Sequence, residues 1–186
     1  MAGGLKEVRE RITSVQNTMQ ITSAMKMVAA AKLRRAQDAI TRMRPYADKL
    51  KGVLSNVSAS LDSSDGVYSQ QRDVSRVLIV AITSNRGLCG GFNNNIVKAA
   101  NAVMTEEGVE YHVLPLGKKA YEAFLKRREL KAVGFDEDAW KIFDDLKFER
   151  AQKIGEDIMT QFVKGQYDDV KIIYNQFVNA AVQDIT

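Results

Sequence analysis

The sequence predicts an α/β protein in two parts, a long N-terminal coiled-coil helix followed by a domain built on a mostly parallel sheet. Three observations predict it. Apolar residues recur every 3.5 residues from Leu5 to Leu61, a cluster of Asp, Ser and Gly follows, and from Val74 onward β-branched runs alternate with amphipathic stretches. The expected divisions are a helix over 1–61, a linker over 62–73 and the α/β domain over 74–186.

Alternating steps of three and four from Leu5 land on seventeen positions, and only Thr22 and Lys26 among them are not apolar. This period keeps one stripe facing a partner in a left-handed coiled coil. Fifty-seven helical residues span roughly 85 Å, and a rod of that length cannot bury its stripe on itself. From Met19 to Leu33 the pattern changes. Ile21, Ala24, Met25, Met27 and Val28 spread beyond the stripe, as in a helix enclosed by other protein, and methionine suits surfaces that accept more than one packing. High Ala and Met content for helix propensity alone is the competing reading. Lys32, Arg34, Arg35, Arg42, Arg44, Lys49 and Lys51 follow, as a basic contact face or simply as a solvated one. Pro45 removes a backbone hydrogen bond at a cost of about 3 kcal/mol. The repeat nevertheless keeps its phase from Met43 to Ala47, so a bend over 41–45 is expected rather than a break.

Charge is divided unevenly. Residues 1–61 carry 11 Lys/Arg against 4 Asp/Glu, whereas 62–186 carry 16 against 19, within a net charge of +4. A basic rod on a mildly acidic body points to an acidic partner, nucleic acid or an acidic protein surface. No apolar run reaches the length of a membrane span, and the N-terminus lacks a signal core. A single cysteine excludes an internal disulfide and fits a reducing, cytoplasmic setting.

In the body, 62–72 (DSSDGVYSQQR) has no period and reads as linker. Val74 to Ile82 (VSRVLIVAI) is a buried strand. It opens into a Gly-rich turn and a helix over 94–104, with Asn93 or Asn94 as N-cap. A strand over 109–116 and a helix over 118–127 come next. The stretch 130–147 is a short strand plus irregular chain, 148–163 an amphipathic helix, and 170–178 a further strand. This alternation implies a sheet covered on both faces, a Rossmann-like α/β domain. The last residues, AVQDIT, begin another strand, and no second heptad segment answers the first.

The turn Arg86-Gly87-Leu88-Cys89-Gly90-Gly91 lacks both the G-x-G-x-x-G spacing and a Walker lysine and hydroxyl. Its glycines therefore read as a tight structural turn with positive φ. Cys89 reads as a small buried thiol rather than a nucleophile. His112 reads as a strand residue, because one histidine and one cysteine make no metal site. Asp144, Asp145, Glu156 and Asp157 fall on solvated faces, and Trp140 reads as a packing anchor. No constellation supports catalysis, a cofactor or a metal.

Two stretches carry a resemblance. Val15 to Arg35 (VQNTMQITSAMKMVAAAKLRR) contains the pattern I-T-x-A-M-x-M-V-A-A-x-K at Ile21 to Lys32, and Thr83 to Asn93 contains R-G-L-C-G at Arg86 to Gly90. With Arg44-Pro45-Tyr46, they resemble the gamma subunit of F-type ATP synthases across essentially the whole chain. The resemblance implies a non-catalytic rotor subunit of the central stalk, serving ATP synthesis and hydrogen ion transport. Its N-terminal helix would pair antiparallel with a long C-terminal helix inside a ring of alpha and beta subunits. The body would sit against the epsilon subunit and the membrane rotor ring, at the cytoplasmic face of the bacterial cell membrane. The chain ends before that C-terminal helix and is expected to be truncated. The resemblance places Met19, Met25, Lys26, Val28, Lys32, Arg34 and Arg35 against the alpha/beta ring, and leaves Arg86, Gly87, Cys89, Gly90 and Gly91 as a structural turn. A basic coiled-coil adaptor that binds nucleic acid is the alternative.

Overall fold

A computed structural model describes residues 2–60, 66–68, 72–179 and 182–186, without the side chains of residues 2, 3, 58 and 60. Leu61, at the end of the stripe, and much of the expected 62–73 linker lie outside the described residues. The chain divides into two compact units, Met1–Asp62 and Ser63–Thr186.

The first unit is one helix, α1 (Ala2–Ser60), 59 residues long, with Pro45 inside it. It runs through Pro45 uninterrupted, as the unbroken phase of the apolar repeat requires. Leu5, Val8, Ile12, Val15 and Met19 on the stripe all remain exposed. In water such a helix draws little from tertiary burial, and propensity alone leaves it marginal.

The second unit is organised around β1 (Arg76–Ile82), the middle strand of a parallel sheet between β2 (Glu110–Leu116) and β3 (Asp169–Ile173). Ile79 pairs with Val113 on one side and Lys171 on the other. A central parallel strand is covered on both faces, which is why its sequence is unbroken in apolarity rather than alternating. Val77, Ile79 and Ala81 pack with Ile96 and Ala100 of α2 (Phe92–Val103) and with Ala120 and Phe124 of α3 (Lys118–Phe124). Leu78 and Val80 face Leu114, Leu116, Ala139, Ile142 and Tyr167 on the other side, with Ile154 and Ile158 of α4 (Phe148–Val163) packed against them. Each fully buried Val, Leu or Ile side chain among these contributes about 1.5–3 kcal/mol.

Several expected boundaries are corrected. α3 stops at Phe124, where that buried ring turns the chain and Arg127 N–H bonds the Phe124 carbonyl at 2.9 Å. In place of the short strand expected within 130–147, the chain forms two short 3-10 turns, 128–130 and 139–144, and one parallel bridge, Val113 to Lys131. The single strand expected over 170–178 is two. β3 ends at Ile173, and β4 (Asn175–Phe177) forms a separate antiparallel pair with β5 (Gln183–Ile185), closed by reciprocal bonds between Tyr174 and Thr186 at 2.9 Å. At Tyr174 the backbone exchanges one set of partners for another, and no local sequence signal marks that change.

Candidate functional site

Two regions carry the residues singled out in the sequence, and each belongs to its own unit. On α1, Met19, Met25 and Val28 are exposed to 66%, 65% and 57%, and Ile21 and Met27 are similarly open. Lys26, Lys32, Arg34 and Arg35 are exposed as well, and none of them is ion-paired among the described residues. Arg34 and Arg35 precede Asp38 by four and three residues, a spacing at which helical ion pairs form, yet no such pair is made. The helix thus presents an apolar stripe, an apolar widening at 19–28 and a free basic cluster immediately after it.

Local bonding refines the interruption in the stripe. The Thr22 hydroxyl donates to the Thr18 carbonyl, as Thr13, Thr18 and Thr41 hydroxyls donate to carbonyls four residues back. A threonine bonded in this way has spent its polar hydrogen inside the helix, which leaves its methyl available to a partner. Of the two polar positions on the stripe, Lys26 alone keeps an unsatisfied demand. The heptad count treats the two positions as equal; the hydrogen bonds do not.

In the second unit the turn 86–91 joins β1 to α2 and is held by the Asn93 side chain together with the Ser84 hydroxyl, which donates to the Arg86 carbonyl at 2.7 Å. Asn93 Oδ1 accepts the Ser84 N–H at 2.9 Å, while its Nδ2 donates to the Arg86 carbonyl at 3.0 Å and to Cys89 Sγ at 3.1 Å. Asn93 lies in the first turn of α2, whose N-cap is Gly91 with no side-chain cap, so the expectation of an Asn cap at 93 or 94 is corrected. The asparagine instead clamps the preceding loop. With that clamp occupying the inner side, Cys89 is exposed, contrary to the buried thiol expected.

Only Gly90, at φ 58°, uses positive φ among the three glycines of the turn. The other left-handed residue is Leu88, also at φ 58°, a conformation disfavoured by about 1–2 kcal/mol for a side chain bearing Cβ. Leu88 is fully exposed. Sequence reasoning passed over it, and an apolar residue between Gly87 and Cys89 in a glycine-rich turn was the available signal.

The segment after β1 also caps α3, which starts next to it. Thr83 Oγ1 accepts the Ala120 N–H at 2.7 Å, Asn85 Oδ1 accepts the Lys118 N–H at 2.9 Å, and the Ser84 carbonyl accepts the Lys119 N–H at 3.2 Å. Asn85 in turn donates to Asp144 at 2.7 Å. The first N–H groups of α3 are thus already taken by protein oxygens.

The remaining candidates fall into structural roles. His112 is buried on β2, 3.1 Å from Glu110 through Nε2 and edge-on to Tyr167. Burial raises the Tyr167 phenol pKa, although its bond with the Val133 backbone opposes this. Trp140 stacks on Tyr121 with ring centroids 4.7 Å apart. Asp144 and Asp145 are exposed, the latter paired with Lys147 at 2.9 Å, and Glu156 bonds Gln152. No group of His, Cys, Asp and Glu suited to a metal ion occurs among the described residues, and no described helix is long and apolar enough to cross a membrane.

Comparison with known proteins places this arrangement. Residues 4–186 match the family described as ATP synthase. The ATP synthase gamma chain of Flavobacterium psychrophilum is 50% identical over 181 residues, covering 96% of this chain and 62% of that one. The gamma chain of Flavobacterium johnsoniae is 51% identical with the same coverage. Among solved structures, the central stalk and c-ring of the Tetrahymena thermophila mitochondrial ATP synthase aligns with a TM-score of 0.63 at 27% identity, over 89% of this chain and 70% of that one. The rotor of the Euglena gracilis enzyme shares the fold, with a TM-score of 0.62 at 24% identity, over 100% of this chain and 62% of that one. The chain spans 62% of the length of the curated relatives it matches.

Proposed function

The chain belongs to the ATP synthase family as a gamma chain, and on that footing we propose that it forms the N-terminal shaft helix and α/β body of the central-stalk rotor. In this reading it is a non-catalytic subunit. The shaft turns within a ring of alpha and beta subunits whose beta sites carry the chemistry, while the body meets the epsilon subunit and the membrane rotor ring. The complex would lie at the cytoplasmic face of the bacterial membrane, where this chain is a peripheral part.

The observation that carries the reading is the exposed 3.5-residue stripe of α1, whose apolar surface widens at Met19 to Val28 around Lys26 and just before three further unpaired cations, Lys32, Arg34 and Arg35. A simple two-helix coiled coil needs only the stripe. The widening and the cations suit a helix that faces a second surface as well, one that is partly apolar and partly acidic. Met25, Lys26 and Val28 would contact that surface within the widening, followed by Lys32, Arg34 and Arg35. A regular stripe also suits an antiparallel helix from the same subunit, such as one in the part of the curated relatives that this chain does not span.

Reconstitution tests the proposal. The chain is mixed with a peptide of the corresponding C-terminal helix of a gamma chain and with alpha and beta subunits. Assembly into a complex with ATPase activity above that of alpha and beta alone supports it. If the chain neither joins the ring nor alters its activity, the proposal fails.

A further inference from the structure

The open edge of β2 borders a cavity of about 370 Å3, and its formation follows from the chain path. Glu110 N–H and the Leu116 carbonyl bond toward β1, so by alternation residues 111, 113 and 115 turn their backbone to the free edge. Ala132 N–H reaches the Val113 carbonyl there at 3.4 Å. The next outward position is Pro115, which has no N–H to offer, and the ladder stops. The returning chain then swings away toward Phe135 and Trp140, leaving a space walled by Phe124, Leu125 and Ala139 as well as by Tyr121 stacked on Trp140. The volume lies in the range of small-molecule sites.

The lining is mostly apolar, and three cations stand at it. Two are engaged: Arg127 donates to Asn101 at 2.7 Å and meets Glu129 at 3.3 Å, and Lys131 pairs with Glu137 at 2.7 Å. Arg128 is exposed and has no partner among the described residues. On the acidic side, Glu137 is taken by Lys131 and Asp136 Oδ1 accepts the Asp138 N–H at 2.9 Å. An apolar, aromatic-walled cavity with one unspent guanidinium has the composition of a site for a molecule with one anionic head and an apolar body. A guanidinium fork binds a carboxylate through two parallel hydrogen bonds.

We propose that this cavity binds a small aryl- or alkyl-carboxylate, with the apolar body between Phe124, Leu125 and Trp140 and the carboxylate on Arg128. This site is separate from the rotor role and does not depend on it.

The chain supplies its own reporter, because Trp140 is its only tryptophan. Bromine quenches indole fluorescence at contact range, so titration of the full chain with 4-(4-bromophenyl)butanoate reads occupancy directly. The expected result is saturable quenching with a Kd below about 1 mM. Affinity should be weakened tenfold or more by Arg128→Ala and by replacing the acid with its amide, and unchanged by Lys126→Ala, a neighbouring exposed cation outside the cavity. Arg128 is exposed and bonds only through its backbone, so an unchanged unfolding midpoint accompanies the loss. Absence of saturable quenching overturns the proposal. So does equal binding of acid and amide, an Arg128→Ala variant that binds as the parent does, or an equal loss in Lys126→Ala.

Discussion

The hydroxyl of Thr83 accepts the backbone N–H of Ala120 across 2.7 Å, joining the end of β1 to a helix that begins 35 residues later. Thr83 is buried and Ala120 wholly so. The bond gives an otherwise orphaned helix donor its acceptor, and it fixes the direction in which α3 leaves the sheet.

Replacing Thr83 with valine keeps the shape and removes the acceptor. The Ala120 N–H is then buried without a partner, which costs about 1–3 kcal/mol. Urea unfolding should show that loss for Thr83→Val and a smaller one for Thr83→Ser, which retains the hydroxyl. Equal losses would mean that packing, rather than the hydrogen bond, matters at this position.

Gly117 sits at φ 105° between β2 and α3, and a Cβ there would lie 2.2 Å from the Thr83 carbonyl oxygen. Both the conformation and the backbone obstacle reject a side chain. Gly117→Ala should destabilise the chain by about 2 kcal/mol or more, and the calorimetric midpoint checks it. Substitution at Gly108, which also has positive φ but meets nothing within 4 Å, should cost less.

Asp168 joins the starts of β1 and β3. Its Oδ2 accepts the Ser75 N–H at 3.1 Å, the Ser75 hydroxyl at 2.8 Å and the Arg76 N–H at 2.9 Å. Burial pushes the carboxyl pKa up, but these bonds and the Arg76 charge outweigh it and hold the pKa below its ordinary value. The charged form is therefore favoured by folding, and its stabilisation is present above the unfolded carboxylate pKa of about 3.9. It is lost as pH falls through the lower folded value. Asp168→Ala should cost about 1–3 kcal/mol at neutral pH, and its urea midpoint should converge on the parent's as pH is lowered below about 4. A gap that stays constant with pH would exclude the carboxylate as its source.

Reversing Arg34 and Arg35 together to glutamate, in a full-length gamma chain carrying these residues, should weaken coupling between ATP hydrolysis and proton pumping. In the proposed ring contact each reversal would replace attraction to an acidic surface by repulsion, worth about 1 kcal/mol at an exposed site. Proton uptake per ATP hydrolysed in membrane vesicles measures it. Unchanged coupling counts against a ring contact at these arginines.

Much of the fold was legible because its signals are local. The 3.5-residue stripe, the uninterrupted β-branched run of β1 and the amphipathic repeat of α4 each follow from one element facing one environment. The apolar widening of α1 was legible for the same reason, since Met25 and Val28 off the stripe and Lys26 on it depart from a pattern their neighbours define. The boundaries that shifted, at Phe124 and Tyr174, are places where the chain changes partners, and periodicity carries no mark of a partner that comes from elsewhere in the chain.

By itself the sequence determined that a long helix demands a partner and that one strand is buried in a covered, mostly parallel sheet, because hydrophobic periodicity records which side of an element leaves water. Tertiary structure decided the uses of individual polar and small residues. Asn93 clamps a loop instead of capping its helix, Cys89 lies outside instead of in the core, Thr83 caps a distant helix, and Pro115 ends a ladder and opens a cavity. Each of those outcomes depends on a donor, an acceptor or a surface from a distant segment, and it exists only once folding has brought the segments together.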